Sequence, residues 1–191
     1  MVCGQIFIIT GPQEVGKTTF CRKLAYIGRA LGWDVAGVIS PAVYEDNLKK
    51  GIEVENLRSG EHRILATKDI ESVSGPRTCN WCFDSFALEW GNSVLKEATP
   101  CDLFIVDELG VLEFERTEGW LAGFDAIDTR QYRYVFITIR PEMLERAQVK
   151  WPKAQIIKIA HRGQNYTLWI WRVKFLLQGY LNRILTFMEH N

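Results

Sequence analysis

Gly11-Pro12-Gln13-Glu14-Val15-Gly16-Lys17-Thr18 fits the pattern G-x-x-x-x-G-K-[ST] at every position. These residue types at this spacing suit a polyphosphate. Glycines let the backbone curl so that its amides converge on an anion. A helix beginning at about Lys17 adds partial positive charge behind them. In such a loop Lys17 reaches the β- and γ-phosphates, the Thr18 hydroxyl ligates Mg²⁺, and Thr19 reaches the α-phosphate. The flanks agree. The run QIFIIT over 5–10 predicts a buried strand, and Phe20, Leu24, Ile27 and Leu31 recur at helical spacing before Gly32.

Leu103-Phe104-Ile105-Val106-Asp107-Glu108 supplies the complementary half. Four apolar residues predict a buried strand whose C-terminal end presents two carboxylates, and open α/β sheets bind ligands at that end. Asp107 is expected to hold Mg²⁺, through water. Glu108 beside it is suited to orient and deprotonate an attacking water. Arg140 follows a predicted strand over 134–139 and is expected on the γ-phosphate side of the sheet. It reads equally as an arginine finger in cis or as a salt-bridge residue flanking the next helix. Arg162 follows the last predicted strand, 155–160, where a base would lie and where its guanidinium can stack.

With both motifs in place, the chain resembles the THEP-type nucleoside-triphosphatases, the small cancer-related nucleoside-triphosphatase family. The likeness reaches to about residue 160. It rests on Gly11 to Thr19, on Gly37-Val38-Ile39 leading into a hairpin, and on Asp107-Glu108-Leu109-Gly110-Val111-Leu112-Glu113-Phe114. The resemblance implies Mg²⁺-dependent hydrolysis of nucleoside triphosphates such as ATP and GTP to diphosphate and phosphate, with loose base specificity. It marks Glu113 and Thr138 as further site residues. Val111 stands where the family usually has Lys, and Arg140 where it has Pro. The family's Asn-Arg pair after the last strand is replaced by His161-Arg162-Gly163-Gln164-Asn165. A nucleotide or nucleoside kinase and a slow nucleotide-dependent switch share the loop and remain rival readings. A kinase would want an Arg-rich lid, yet no segment clusters three arginines.

The rest of the sequence must position these groups. The 191 residues predict one domain. Strand runs alternating with helical patterns predict an α/β P-loop fold with about five mostly parallel strands. Asp34 to Val43 reads as one strand, 43–66 as an antiparallel hairpin insertion, and Thr117 to Ile127 as one helix. Asp84 or Ser85 is the expected cap of a helix running to about Ala98. A long C-terminal helix is expected over about 167–188. Its stripe Leu168, Trp171 and Phe175, opposite the core face, suits a homodimer or protein partner. Lys plus Arg and Asp plus Glu number 23 each, a zero balance that argues against general nucleic-acid binding. No run of 18 uncharged apolar residues suggests a membrane span. Five scattered cysteines with no signal peptide before them suggest a reducing, cytoplasmic setting. Cys79-x-x-Cys82 lacks a second ligand pair and reads as structural or incidental.

Overall fold

Strong β-formers in short apolar runs build the sheet, and the amphipathic segments between them cover its two faces. The computed structural model describes residues 4–68, 74–78 and 80–161. In chain order the elements are β1 (Gln5–Thr10), α1 (Lys17–Ala30), β2 (Val35–Ile39), β3 (Ala42–Glu45), β4 (Leu48–Asn56), β5 (His62–Thr67) and β6 (Cys82–Phe83). Then come α2 (Ser85–Lys96), β7 (Cys101–Leu109), α3 (Val111–Glu115), α4 (Leu121–Asp128) and β8 (Tyr132–Ile139). A 3₁₀ turn (Pro141–Met143), α5 (Leu144–Lys150) and β9 (Gln155–Lys158) complete the described chain.

The expected parallel strands are present in the order β2-β7-β8-β1-β9. Strands buried on both faces need apolar centres, which β1, β7 and β8 supply in the runs 6–9, 103–106 and 134–137. On one face α1 packs Phe20 and Leu24 against Phe7, Ile9, Ile105 and Phe136. On the other, Leu95 of α2, Ile127 of α4 and Trp151 beyond α5 cover Ile8, Val106, Val135 and Ile137. The Asp84 carboxylate caps α2 by accepting from the Ala87 amide at 2.7 Å, as expected, and the helix stops at Lys96.

The expected antiparallel hairpin is present and extends the central sheet, since β4 joins β2 antiparallel and β5 and β6 continue it. Two other expectations are corrected. The segment 34–43 is two strands. β2 pairs with β7 as far as Val38, the chain breaks at Ser40-Pro41, and β3 continues along β4 alone. Proline lacks the amide that a continuing ladder needs. Finally, 117–127 is not one helix. The short α3 precedes it, and α4 begins only at Leu121, since Thr117 and Gly119 both adopt positive φ.

Candidate nucleotide site

Three adjacent strands bring the two motifs to one level. Ile9 of β1 lies opposite Thr138 of β8, and Thr138 lies opposite Asp107 of β7. The phosphate loop therefore leaves β1 two residues beyond the register position of the carboxylate. Asp107 is 2% exposed. Its Oδ1 accepts from the Thr138 hydroxyl at 2.7 Å, and its Oδ2 from the Ser40 amide at 3.1 Å. The Ser40 hydroxyl donates to the Asp107 carbonyl at 2.7 Å, and Thr18 also bonds the carboxylate. Burial pushes the Asp107 carboxyl above its ordinary value, while the bonds from Thr138, Ser40 and Thr18 oppose the shift. Thr138 is thus a positioning residue. Ser40 is a site residue that the sequence reading missed, and the break at Pro41 is what turns its amide toward Asp107.

The loop itself is preformed. Lys17 Nζ donates to the Gly11 carbonyl at 2.8 Å and the Pro12 carbonyl at 2.9 Å, clasping the start of the loop. Gly11 lies so close to the chain after β9 that a Cβ there would stand 2.2 Å from the Ile159 carbonyl oxygen. Glu14 takes the left-handed conformation at the crest, Val15 is buried, and Pro12, Gln13 and Glu14 are exposed. Gly16 precedes α1, and its carbonyl accepts from Phe20 to open the helix. Burial lowers the Lys17 pKa, and nearby Glu108 and Asp107 oppose that effect. Both carboxylates of the second motif therefore lie within electrostatic reach of the loop's ammonium, as do Arg140 and Glu142.

Glu108 occupies an irregularity in the ladder. Asp107 pairs with Thr138 and Leu109 with Ile139, so Glu108 is the extra residue of a β-bulge, a device that re-aims side chains beside functional sites. Its Oε1 accepts from Arg140 Nε. The sequence reading left Arg140 between arginine finger and salt-bridge residue; here it is ion-paired, and its partner is the expected base.

Glu113, a site residue by the resemblance, is held by two backbone amides. Its Oε2 accepts from the Gly110 amide at 2.7 Å and its Oε1 from the Trp120 amide at 2.8 Å. The side chain is 8% exposed. Both oxygens are thus committed to backbone amides, which ties the start of α3 to the loop before α4. Gly110-x-x-Glu113 before a short helix is the signal for this, a Glu three residues into the helix reaching back to the capping amide. Burial lifts the Glu113 carboxyl from 4.5 to about 7, against the pull of its two amides. A folded-state value above the unfolded one contributes stability fully below about pH 4.5, lost as pH rises through 7. The stability advantage of wild type over Glu113→Gln should therefore shrink by about 3 kcal/mol between pH 4.5 and 8, read from urea unfolding across that range. A gap constant with pH would contradict the burial argument.

Gly119 completes this support. Its φ is +73°, and a Cβ would stand 2.0 Å from Glu113 Oε1. Gly119→Ala should cost about 2 to 4 kcal/mol through the left-handed backbone and displacement of the carboxylate. Thermal unfolding unchanged within a degree would refute it.

Arg162, Cys79 and the C-terminal helix with Leu168, Trp171 and Phe175 lie outside the described residues. Cys82 is a buried free thiol. No cluster of three or more His, Cys, Asp or Glu suited to a metal occurs among the described residues. No described helix is long and apolar enough to cross a membrane.

Residues 6–131 match the NTPase family, a span holding the loop, Asp107, Glu108 and Glu113 and ending before Thr138 and Arg140. The chain is 29% identical over 135 residues to nucleoside-triphosphatase THEP1 of Caldivirga maquilingensis, covering 71% of this chain and 74% of the relative. It is 28% identical over 179 residues to the protein of that name in Methanocaldococcus jannaschii, covering 93% and 95%. The solution structure of a human cancer-related nucleoside triphosphatase superposes with a TM-score of 0.67 at 21% identity, covering 92% of this chain and 98% of that one. That likeness concerns the fold. The family match runs through the loop and the strand bearing the carboxylates, and on it this chain belongs to the NTPase family.

Proposed function

We propose that the chain hydrolyses nucleoside triphosphates to diphosphate and phosphate with Mg²⁺. The observation that carries this reading is the alignment across β7, β8 and β1, which sets a buried carboxylate and an adjacent second one opposite a preformed phosphate loop. The loop amides and Lys17 bind the β- and γ-phosphates, Thr19 supports the α-phosphate, and Arg140 lies on the γ side. Thr18 and Asp107 are the residues to hold the metal. Hard oxygen donors suit Mg²⁺, and one carboxylate with one hydroxyl is the sparse protein share expected when phosphates and water complete its shell. When bound, the ion neutralises charge on the transferring phosphoryl group. Ser40 and Thr138 hold Asp107 in place, and Glu108 takes the proton of the attacking water. In-line attack needs positioning and electrostatics, with little covalent chemistry from the protein.

A phosphate-release panel over ATP, GTP, CTP and UTP tests the reading, run without any acceptor and with or without Mg²⁺. Metal-dependent release from several bases is expected. Release only when a nucleoside or nucleotide acceptor is added would favour a kinase instead.

A further inference from the structure

We infer that the Glu108–Arg140 ion pair is a latch opened by the third phosphate, so that the general base is unmasked only when a triphosphate is bound. This rests on the proposed hydrolysis and adds its control. Glu108 is the bulged residue after Asp107, and Arg140 directly follows Ile139, the register partner of Leu109. The two side chains thus meet across neighbouring strands at the carboxyl end of the sheet. Both are only about two-fifths exposed. Arg140 is extended, at φ −68° and ψ 150°, and Pro141 behind it disfavours a helical alternative. Lys17 feels both partners of the pair, so the pair lies within electrostatic reach of the loop's ammonium.

In this pairing Glu108 Oε1 is occupied by Arg140 Nε and turned to the guanidinium instead of to a water, so Glu108 is masked. A terminal phosphate arriving at Lys17 brings more charge than one carboxylate and offers the guanidinium fork two oxygens at once. Arg140 exchanges Glu108 for the γ-phosphate. The released carboxylate is left unpaired beside the water it must deprotonate. A diphosphate ends one group short and leaves the pair closed. The exchange is driven by differential affinity for the two arrangements, as any ligand-driven shift must be.

The test is calorimetry on the full chain with Mg²⁺, titrating a β,γ-imido analogue of ATP and, separately, ADP. Glu108→Gln breaks the pair beforehand and should bind the imido analogue about two- to fivefold tighter, the exposed-pair range. Adding Arg140→Ala to Glu108→Gln removes both charges together. That double variant should bind the analogue about 10- to 100-fold more weakly than Glu108→Gln alone, and more weakly than wild type. ADP affinity should stay within twofold throughout, which also verifies that the loop is intact. If Arg140 stays on Glu108 in the complex, deleting the neutral pair changes nothing, and a double variant equal to wild type overturns the latch. Binding of neither nucleotide by wild type overturns the hydrolase reading and the latch with it.

Discussion

Lys17→Ala abolishes nucleoside-triphosphate turnover and weakens triphosphate binding by about 10²-fold or more, while the fold survives. Two losses combine. The ammonium is the only side-chain cation within the loop motif itself, and charge-assisted contacts to phosphate are worth about 1.5 to 3 kcal/mol each. It also clasps the carbonyls of Gly11 and Pro12, so its removal loosens the loop before any ligand arrives. Loss of a preorganised group aimed at developing charge further lowers kcat by about 10² to 10³. Lys17→Met, which keeps the volume, should behave alike and separate charge from packing. Calorimetric affinity for the imido analogue that survives either change would remove the phosphate site from this account.

Glu108→Gln lowers kcat by about 10²- to 10⁴-fold, the range of a positioned general base, without weakening substrate. Gln keeps the size and one acceptor oxygen but takes no proton. Asp107 remains held by Thr138 and Ser40, so metal and nucleotide binding persist and the loss falls in kcat, not KM. Glu113 is no substitute, because both its oxygens are bonded to backbone amides. Steady-state kinetics of Glu113→Gln should instead track its loss of stability. Near-wild-type turnover in Glu108→Gln would sink the base assignment.

What was legible in the sequence follows from how local each determinant is. The loop spans eight consecutive residues whose spacing is the chemistry, and its strand and helix adjoin it. Asp107 and Glu108 could be placed because a four-residue apolar run fixes which end of a strand they occupy. The pairing of Glu108 with Arg140 could not, since it joins residues 32 apart and depends on a bulge that arises from register, not composition. Ser40 was hidden for the same reason. Its type is unremarkable, and only the departure of β2 from β7 at Pro41 turns its amide to Asp107. Glu113 was legible as a site residue, but its contacts were not. Its amide partners come from Gly110 and from Trp120, beyond a left-handed turn at Gly119, and α3 is too short to announce itself by periodicity. The antiparallel hairpin was legible from its alternation, which reveals a wet face but not that β4 joins β2.

In the proposed hydrolysis, water attacks the terminal phosphorus at this site. The direct measurement is turnover of Mg-ATP in ¹⁸O-enriched water with no acceptor present, with the released phosphate read by mass spectrometry. ADP and phosphate are expected in equal amounts, with one solvent oxygen in each phosphate and loss of the signal in Lys17→Ala. Intact ATP under these conditions, or phosphate carrying no solvent oxygen, would contradict it.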